Sequence, residues 1–130
     1  VGNPRKGYPS ALGLAKSTDG VRFERVSSDP ILQPTPEGYD NDAISSPTIV
    51  RYQNEWVMIY VALCFTSCTH SPGYVLAAAT SDDGVSWTKR AEPILQPMPE
   101  LPWTRGGVAE PGILVGPDGW IYLFFTGVID

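Results

Sequence analysis

Between Pro47 and Leu63 the chain is apolar almost without a break, interrupted by the polar stretch QNE at 53–55. That pattern predicts two short strands, PTIVRY (47–52) and WVMIYVAL (56–63), joined by a turn and covered on both faces. A third run, YVLAAATS (74–81), carries three alanines in a row, which let a neighbouring layer approach closely. DDG at 82–84 is a turn signal, and VSWTKR (85–90) then alternates as a half-exposed strand does. The proline-rich stretch PILQP (93–97) follows. Proline has no N–H to give to a ladder, so this link is expected at or beyond a sheet edge. No segment of helical period separates the strands, so parallel βαβ units are not expected.

The pattern repeats. PILQP also stands at 30–34, and Ser17–Phe23 falls on Ser81–Trp87 when the chain is shifted by 64 positions. The same shift lays 46–63 on 110–127, so that Pro47 meets Pro111, Ile49 meets Ile113 and Trp56 meets Trp120. The turn QNE is matched by GPDG, a strong hairpin signal. One residue is gained or lost after Val26, which leaves the PILQP copies 63 apart. Self-similarity of this length marks a repeat architecture, and four antiparallel strands per unit describe a β-propeller blade. A β-sandwich with an internal duplication is the alternative.

Along the chain the expected order is an outer strand pair (11–27), one complete blade (47–90) and the inner pair of the next blade (111–127). The fold class is thus all-β, with two blade-equivalents cut through the middle of a blade in a single partial domain. Two blades cannot close a ring. The expectation is either an excerpt of a longer protein or a homo-oligomer in which chains complete one another's blades head to tail.

Composition narrows the partners. The net charge is −5, no Lys or Arg cluster reverses it locally, and nucleic acid is not an expected partner. The longest apolar run, Trp56–Phe65, is too short to span a bilayer as a helix, so no membrane partner is expected either. No signal-peptide pattern is visible. Cys64 and Cys68 are the two cysteines: either a loop disulfide, which would point to an extracellular or periplasmic setting, or two reduced thiols. A zinc site needs more ligands than the single histidine, His70, can supply, and neither metal nor cofactor is expected.

ATSDDGVSW followed by PILQP and by a stretch ending in Pro before an apolar strand pair resembles the blades of five-bladed glycoside hydrolases, the superfamily that includes families 32 and 43. The resemblance covers nearly the whole chain at blade level. Thr80, Asp82, Gly84, Ser86 and Trp87 also fit the sialidase Asp-box spacing, with a hairpin-tying role, and the equivalent Ser17–Phe23 reads as a degenerate copy. In the resembling enzymes the general acid is a Glu closely followed by Pro at the entry to an innermost strand. The match here is VAEPG, Glu110 before Pro111, whereas the preceding unit has Ser46. The alternative for Glu110 is a solvated link residue.

The resemblance also implies a third acid that tunes the donor, with Asp42 in YDNDAISSP as the candidate and Asp40 a poorer one; the alternative for Asp42 is a turn-forming residue. It implies an Asp base or nucleophile on the innermost strand one blade earlier, a strand that has no match in this sequence. One chain therefore carries an incomplete catalytic set. Trp103 and Tyr39, on the links into the two innermost strands, are candidate sugar-stacking rings, with blade packing as the alternative for Trp103. Arg105 could donate to hydroxyls or a carboxylate, and His70 could line the rim. The expected partner is a carbohydrate and the expected activity acid/base glycosidic-bond hydrolysis. A non-catalytic carbohydrate-binding or interaction module is the second reading. A sialidase-like protein ranks last, because the arginines at 5, 22, 25, 51, 90 and 105 form no triad pattern.

Overall fold

A computed structural model of the chain describes residues 10–66, 68 and 73–129. His70 lies outside these. The described residues form β1 (Ala15–Lys16), β2 (Glu24–Arg25), β3 (Ala43–Tyr52), β4 (Glu55–Cys64), β5 (Gly73–Ser81), β6 (Thr88–Lys89), β7 (Gly107–Val115) and β8 (Ile121–Val128), with one short 3-10 turn at Pro102–Thr104. The antiparallel path β3-β4-β5-β6 is one four-stranded unit. β7 and β8 form an antiparallel hairpin, joined to that unit by a single parallel contact, Tyr74 to Gly107. A Cβ on Gly107 would lie 2.9 Å from the Tyr74 Cβ, so glycine is what permits the contact.

Strand pairs 64 residues apart share their pairing register. Ala15 pairs with Arg25 and Ala79 with Lys89; Lys16 pairs with Glu24 and Thr80 with Thr88. The PILQP stretches do the same work in both copies. Leu32 bridges Leu12, and Leu95 bridges Leu76. The Ile31 and Ile94 N–H groups donate to the Leu12 and Leu76 carbonyls at 2.7 and 2.8 Å. The link therefore runs along the sheet edge, as its prolines require, yet it also extends the outer strand through Ile and Leu.

Three sequence expectations need correction. The innermost strands start at Ala43 and Gly107, ahead of the expected 47 and 111, because a β-bulge absorbs Pro47 and Pro111 within the strand. Trp120 is not the counterpart of Trp56. Arg51 pairs with Trp56 but Val115 with Ile121, so the second hairpin connection is one residue longer. The first is a two-residue turn with Gln53 and Asn54 both at positive φ, the usual tight β-hairpin connection. The extra residue matters because a slip of one reverses which face each side chain takes. Counterparts in β8 are thus Leu123 for Met58 and Phe125 for Tyr60. Finally, the 81–86 turn is tied not by Thr80 and Asp82 but by their neighbours. The Ser81 hydroxyl accepts the Gly84 N–H, and Asp83 Oδ1 accepts those of Val85 and Ser86. Ser17 and Asp19 make the same bonds to Gly20, Val21 and Arg22, so the first copy is intact rather than degenerate.

Corrected this way, the packing is the same from unit to unit. One face of the complete unit (Ile44, Met58, Tyr60, Val75, Ala77) packs on Leu12, Ile31 and Leu32 of the first strand pair. The other (Ile59, Val61, Leu76, Ala78) packs on Val108, Leu123 and Phe125 of the β7–β8 hairpin. Asp40 locks the first junction. It is 1 % exposed, accepts the Thr35 N–H at 2.8 Å and pairs with Lys89 of β6 at 2.5 Å. Removing Asp40 leaves the part-buried Lys89 with only the Gln33 carbonyl and the Thr35 hydroxyl as acceptors. Asp40→Ala should cost about 1.5–3 kcal/mol in urea unfolding, and a joint Asp40→Leu, Lys89→Met change clearly less. Equal losses for the single and joint variants would show that the pairing is not what stabilises this junction.

Candidate functional site

The two innermost strands carry the same defect at the same place. In β3 the pairing jumps from Ser45–Val61 to Thr48–Ile59, and in β7 from Ala109–Thr126 to Gly112–Phe124. Two residues, Ser46-Pro47 or Glu110-Pro111, therefore face one residue of the partner strand. Ser46 and Glu110 are both at φ 50. Non-glycine residues held there cost on the order of 1 kcal/mol or more, and such positions cluster at functional sites. The bulges lie on neighbouring strands, tied where Thr48 Oγ1 accepts the Ile113 N–H at 3.3 Å.

Backbone geometry is thus shared while side-chain chemistry is not. One bulge presents a hydroxymethyl group and the other the exposed carboxylate of Glu110. Along a regular strand residue 110 would point away from the face shared by Ala109 and Thr126. The bulge turns it back, and the Thr126 hydroxyl donates to Glu110 Oε2 at 3.0 Å. No other hydrogen bond to this carboxylate is made among the described residues. Sequence reasoning found Glu110 and missed Thr126. The signal was present, since neither Ala62, which the 64-residue shift sets against it, nor Val61, its structural counterpart, has a hydroxyl.

Asp42 does different work. Its Oδ2 accepts the Phe65 N–H at 2.5 Å and the Thr66 N–H at 3.0 Å, and its Oδ1 accepts the Thr66 hydroxyl at 2.8 Å. These donors, the Phe65 N–H foremost, hold its carboxyl below the usual carboxylate range. Cys64 and Cys68 are bonded to each other across the same loop. Asp42 and the disulfide together pin the chain leaving β4, and no hydrogen bond connects Asp42 to Glu110 among the described residues. In the other unit Gly106 takes the place of Asp42, with the matching backbone bond to Val128 but no side chain.

The two candidate rings are packing groups first. Tyr39 is buried, its hydroxyl 3.3 Å from that of Tyr60 and donating to the Arg90 carbonyl at 2.8 Å. Trp103, its counterpart, stacks on Phe125 with ring centroids 5.8 Å apart and lies across Gly127. A Cβ on Gly127 would come within 2.2 Å of the indole. Trp103 remains 44 % exposed because no outer strand of its own unit covers it among the described residues. Arg105 is exposed on the link five residues ahead of Glu110. The turn aspartates lie apart from these groups; the Arg22 and Val21 N–H groups push the Asp19 carboxyl down to about 2.

No family model matches the chain, and no curated protein matches it. Solved structures do. A glycosyl hydrolase from Bacteroides ovatus superposes with a TM-score of 0.68 at 20 % identity, over 92 % of this chain and 36 % of its own length. A structure from glycoside hydrolase family 130, a family of mannoside phosphorylases that contains hydrolases targeting β-1,2-mannosidic linkages in Candida mannan, gives 0.64 at 18 % identity, over 92 % and 36 %. A thermostable family-43 glycoside hydrolase gives 0.54 at 23 % identity, over 78 % and 33 %. The chain has part of the propeller fold of these glycosidases. It spans about a third of their length.

The Asp42 anchor has a pH signature. A carboxyl whose folded pKa is depressed stabilises the fold above its unfolded pKa and loses that contribution as pH falls through the folded value. The difference in melting temperature between wild type and Asp42→Ala should be full at neutral pH and shrink as pH falls below the ordinary carboxylate range. A difference that does not change with pH would contradict the anchoring bonds.

Proposed function

We propose that the chain forms part of a carbohydrate-cleaving propeller in which Glu110 is the general acid. The observation that carries this is the αL bulge before Pro111, which turns an exposed carboxylate out of the strand where the other repeat has Ser46. The likeness to glycosidase structures supports a sugar as substrate. In the step assigned to it, Glu110 gives its proton to the glycosidic oxygen while the bond from that oxygen to the anomeric carbon breaks. The departing sugar leaves as an alcohol, and the positive charge spreads over the anomeric carbon and the ring oxygen. A second carboxylate must then attack that carbon or activate water. Asp42 is poorly suited to this, since both its oxygens are engaged in holding the loop. We assign the second carboxylate to a further blade. Arg105 is assigned to sugar hydroxyls near the link.

Glu110→Gln tests the assignment. With aryl glycosides and β-1,2-linked mannosides, each with and without inorganic phosphate, turnover should fall at least a hundredfold, the range general acid catalysis supplies being about 10²–10⁴. Activity that survives the change removes the acid assignment. Sugar binding without turnover in either form favours the non-catalytic module.

We also propose that bare blade edges in this chain meet further blades, a second copy among them. Ile59 and Val61 are 6 % and 3 % exposed under the β7–β8 hairpin, whereas Phe124, the counterpart of Ile59, is 61 % exposed. Native mass spectrometry should show a closed assembly of several copies. A monodisperse monomer would count against completion by copies of the chain.

A further inference from the structure

At the bulge the two units differ not only in the residue it presents but also in a residue on the strand opposite. The complete unit has Ser46 at its bulge and Val61 on the strand opposite; the β7–β8 unit has Glu110 and Thr126. The bulge, the proline and the positive φ are shared between the two units. The hydroxyl occurs in the unit that holds the carboxylate, and it is spent on that carboxylate. We infer that Thr126 is a positioning residue for Glu110, an inference that rests on the acid reading above. By donating to Oε2 it fixes one oxygen and leaves Oε1, which has no hydrogen bond among the described residues, as the one to carry and deliver the proton.

The physical need is clear from the side chain. Glutamate reaches its carboxyl through freely rotating bonds, and Glu110 is exposed, so packing does not choose its rotamer. A donor from the adjacent strand, held by the Ala109–Thr126 pairing, supplies the missing restraint. A proton donor displaced by about 1 Å loses on the order of a hundredfold in rate, so even partial loss of this restraint should be measurable.

Thr126→Val removes the hydroxyl and keeps the shape, and Thr126→Ser keeps the hydroxyl. Valine is close to threonine in shape and favours strands, so β8 should keep its pairing in this variant. The first readout is independent of turnover: the side-chain carboxyl carbon resonance of Glu110, observed by NMR. It should move in Thr126→Val and stay near the wild-type position in Thr126→Ser. The second is kinetic. Thr126→Val should lower kcat about tenfold with KM changed by less than about threefold, Thr126→Ser should recover most of the loss, and Thr126→Val added to Glu110→Gln should cost nothing further. A Glu110 resonance that ignores the loss of the hydroxyl overturns the inference. So does full kcat in Thr126→Val when Glu110→Gln is inactive. If Glu110→Gln itself keeps its activity, the acid reading has failed, which is a separate outcome from either of these.

Discussion

A buried strand owns two faces, and both must be covered. That constraint organises this chain. β4 and β5 send alternate side chains to opposite sides, and each side needs a different neighbour: the first strand pair through Leu12 and Leu32, and the β7–β8 hairpin through Val108, Leu123 and Phe125. Ala77, Ala78 and Ala79 let both layers come close. The longer GPDG hairpin is part of the same logic. With one more residue in the connection, Leu123 and Phe125 occupy the face that Met58 and Tyr60 occupy in the preceding unit, and Phe125 rather than Phe124 is the residue Trp103 stacks on. Rotation from one unit to the next then brings like faces to like neighbours.

The site depends on this packing but is not produced by it. Where regular pairing continues, every side chain is assigned to one face or the other, and nothing is left over. The bulge breaks the assignment at one point on each innermost strand, frees two residues from the ladder, and accommodates a proline that has no N–H to give to it. It also holds Ser46 and Glu110 in a backbone conformation that non-glycine residues avoid. The fold builds the same pedestal twice, and the sequence places a carboxylate on one of them.

Much of this was legible in the sequence, for reasons that can be named. Turn chemistry and apolar runs located the strands. DDG favours a tight turn, the prolines of PILQP keep that stretch at a sheet edge, and three adjacent alanines suit a strand pressed between close layers. The repeat isolated Glu110 against Ser46. What was not legible depended on register. A shift of 64 placed Trp120 on Trp56 because both follow a polar turn, and only the pairing of Val115 with Ile121 shows the extra residue. The bulges hid the true strand starts, since a proline read from sequence looks like a boundary. Tyr39 looked like a sugar platform because an aromatic on a link is ambiguous until its burial is known. The turn-tying role of Ser81 and Asp83 was missed by one position, which spacing alone cannot separate from Thr80 and Asp82.

The likeness to glycosidases fixes the architecture, and the bulge supplies the chemistry proposed for it. The most direct test of that chemistry is a crystal structure with a bound oligosaccharide. A glycosidic oxygen should lie within hydrogen-bonding distance of the Glu110 carboxyl, beside the β7 bulge. A sugar seated elsewhere, over the Ser81–Asp83 turn or on the outer strands with Glu110 facing only solvent, would contradict it.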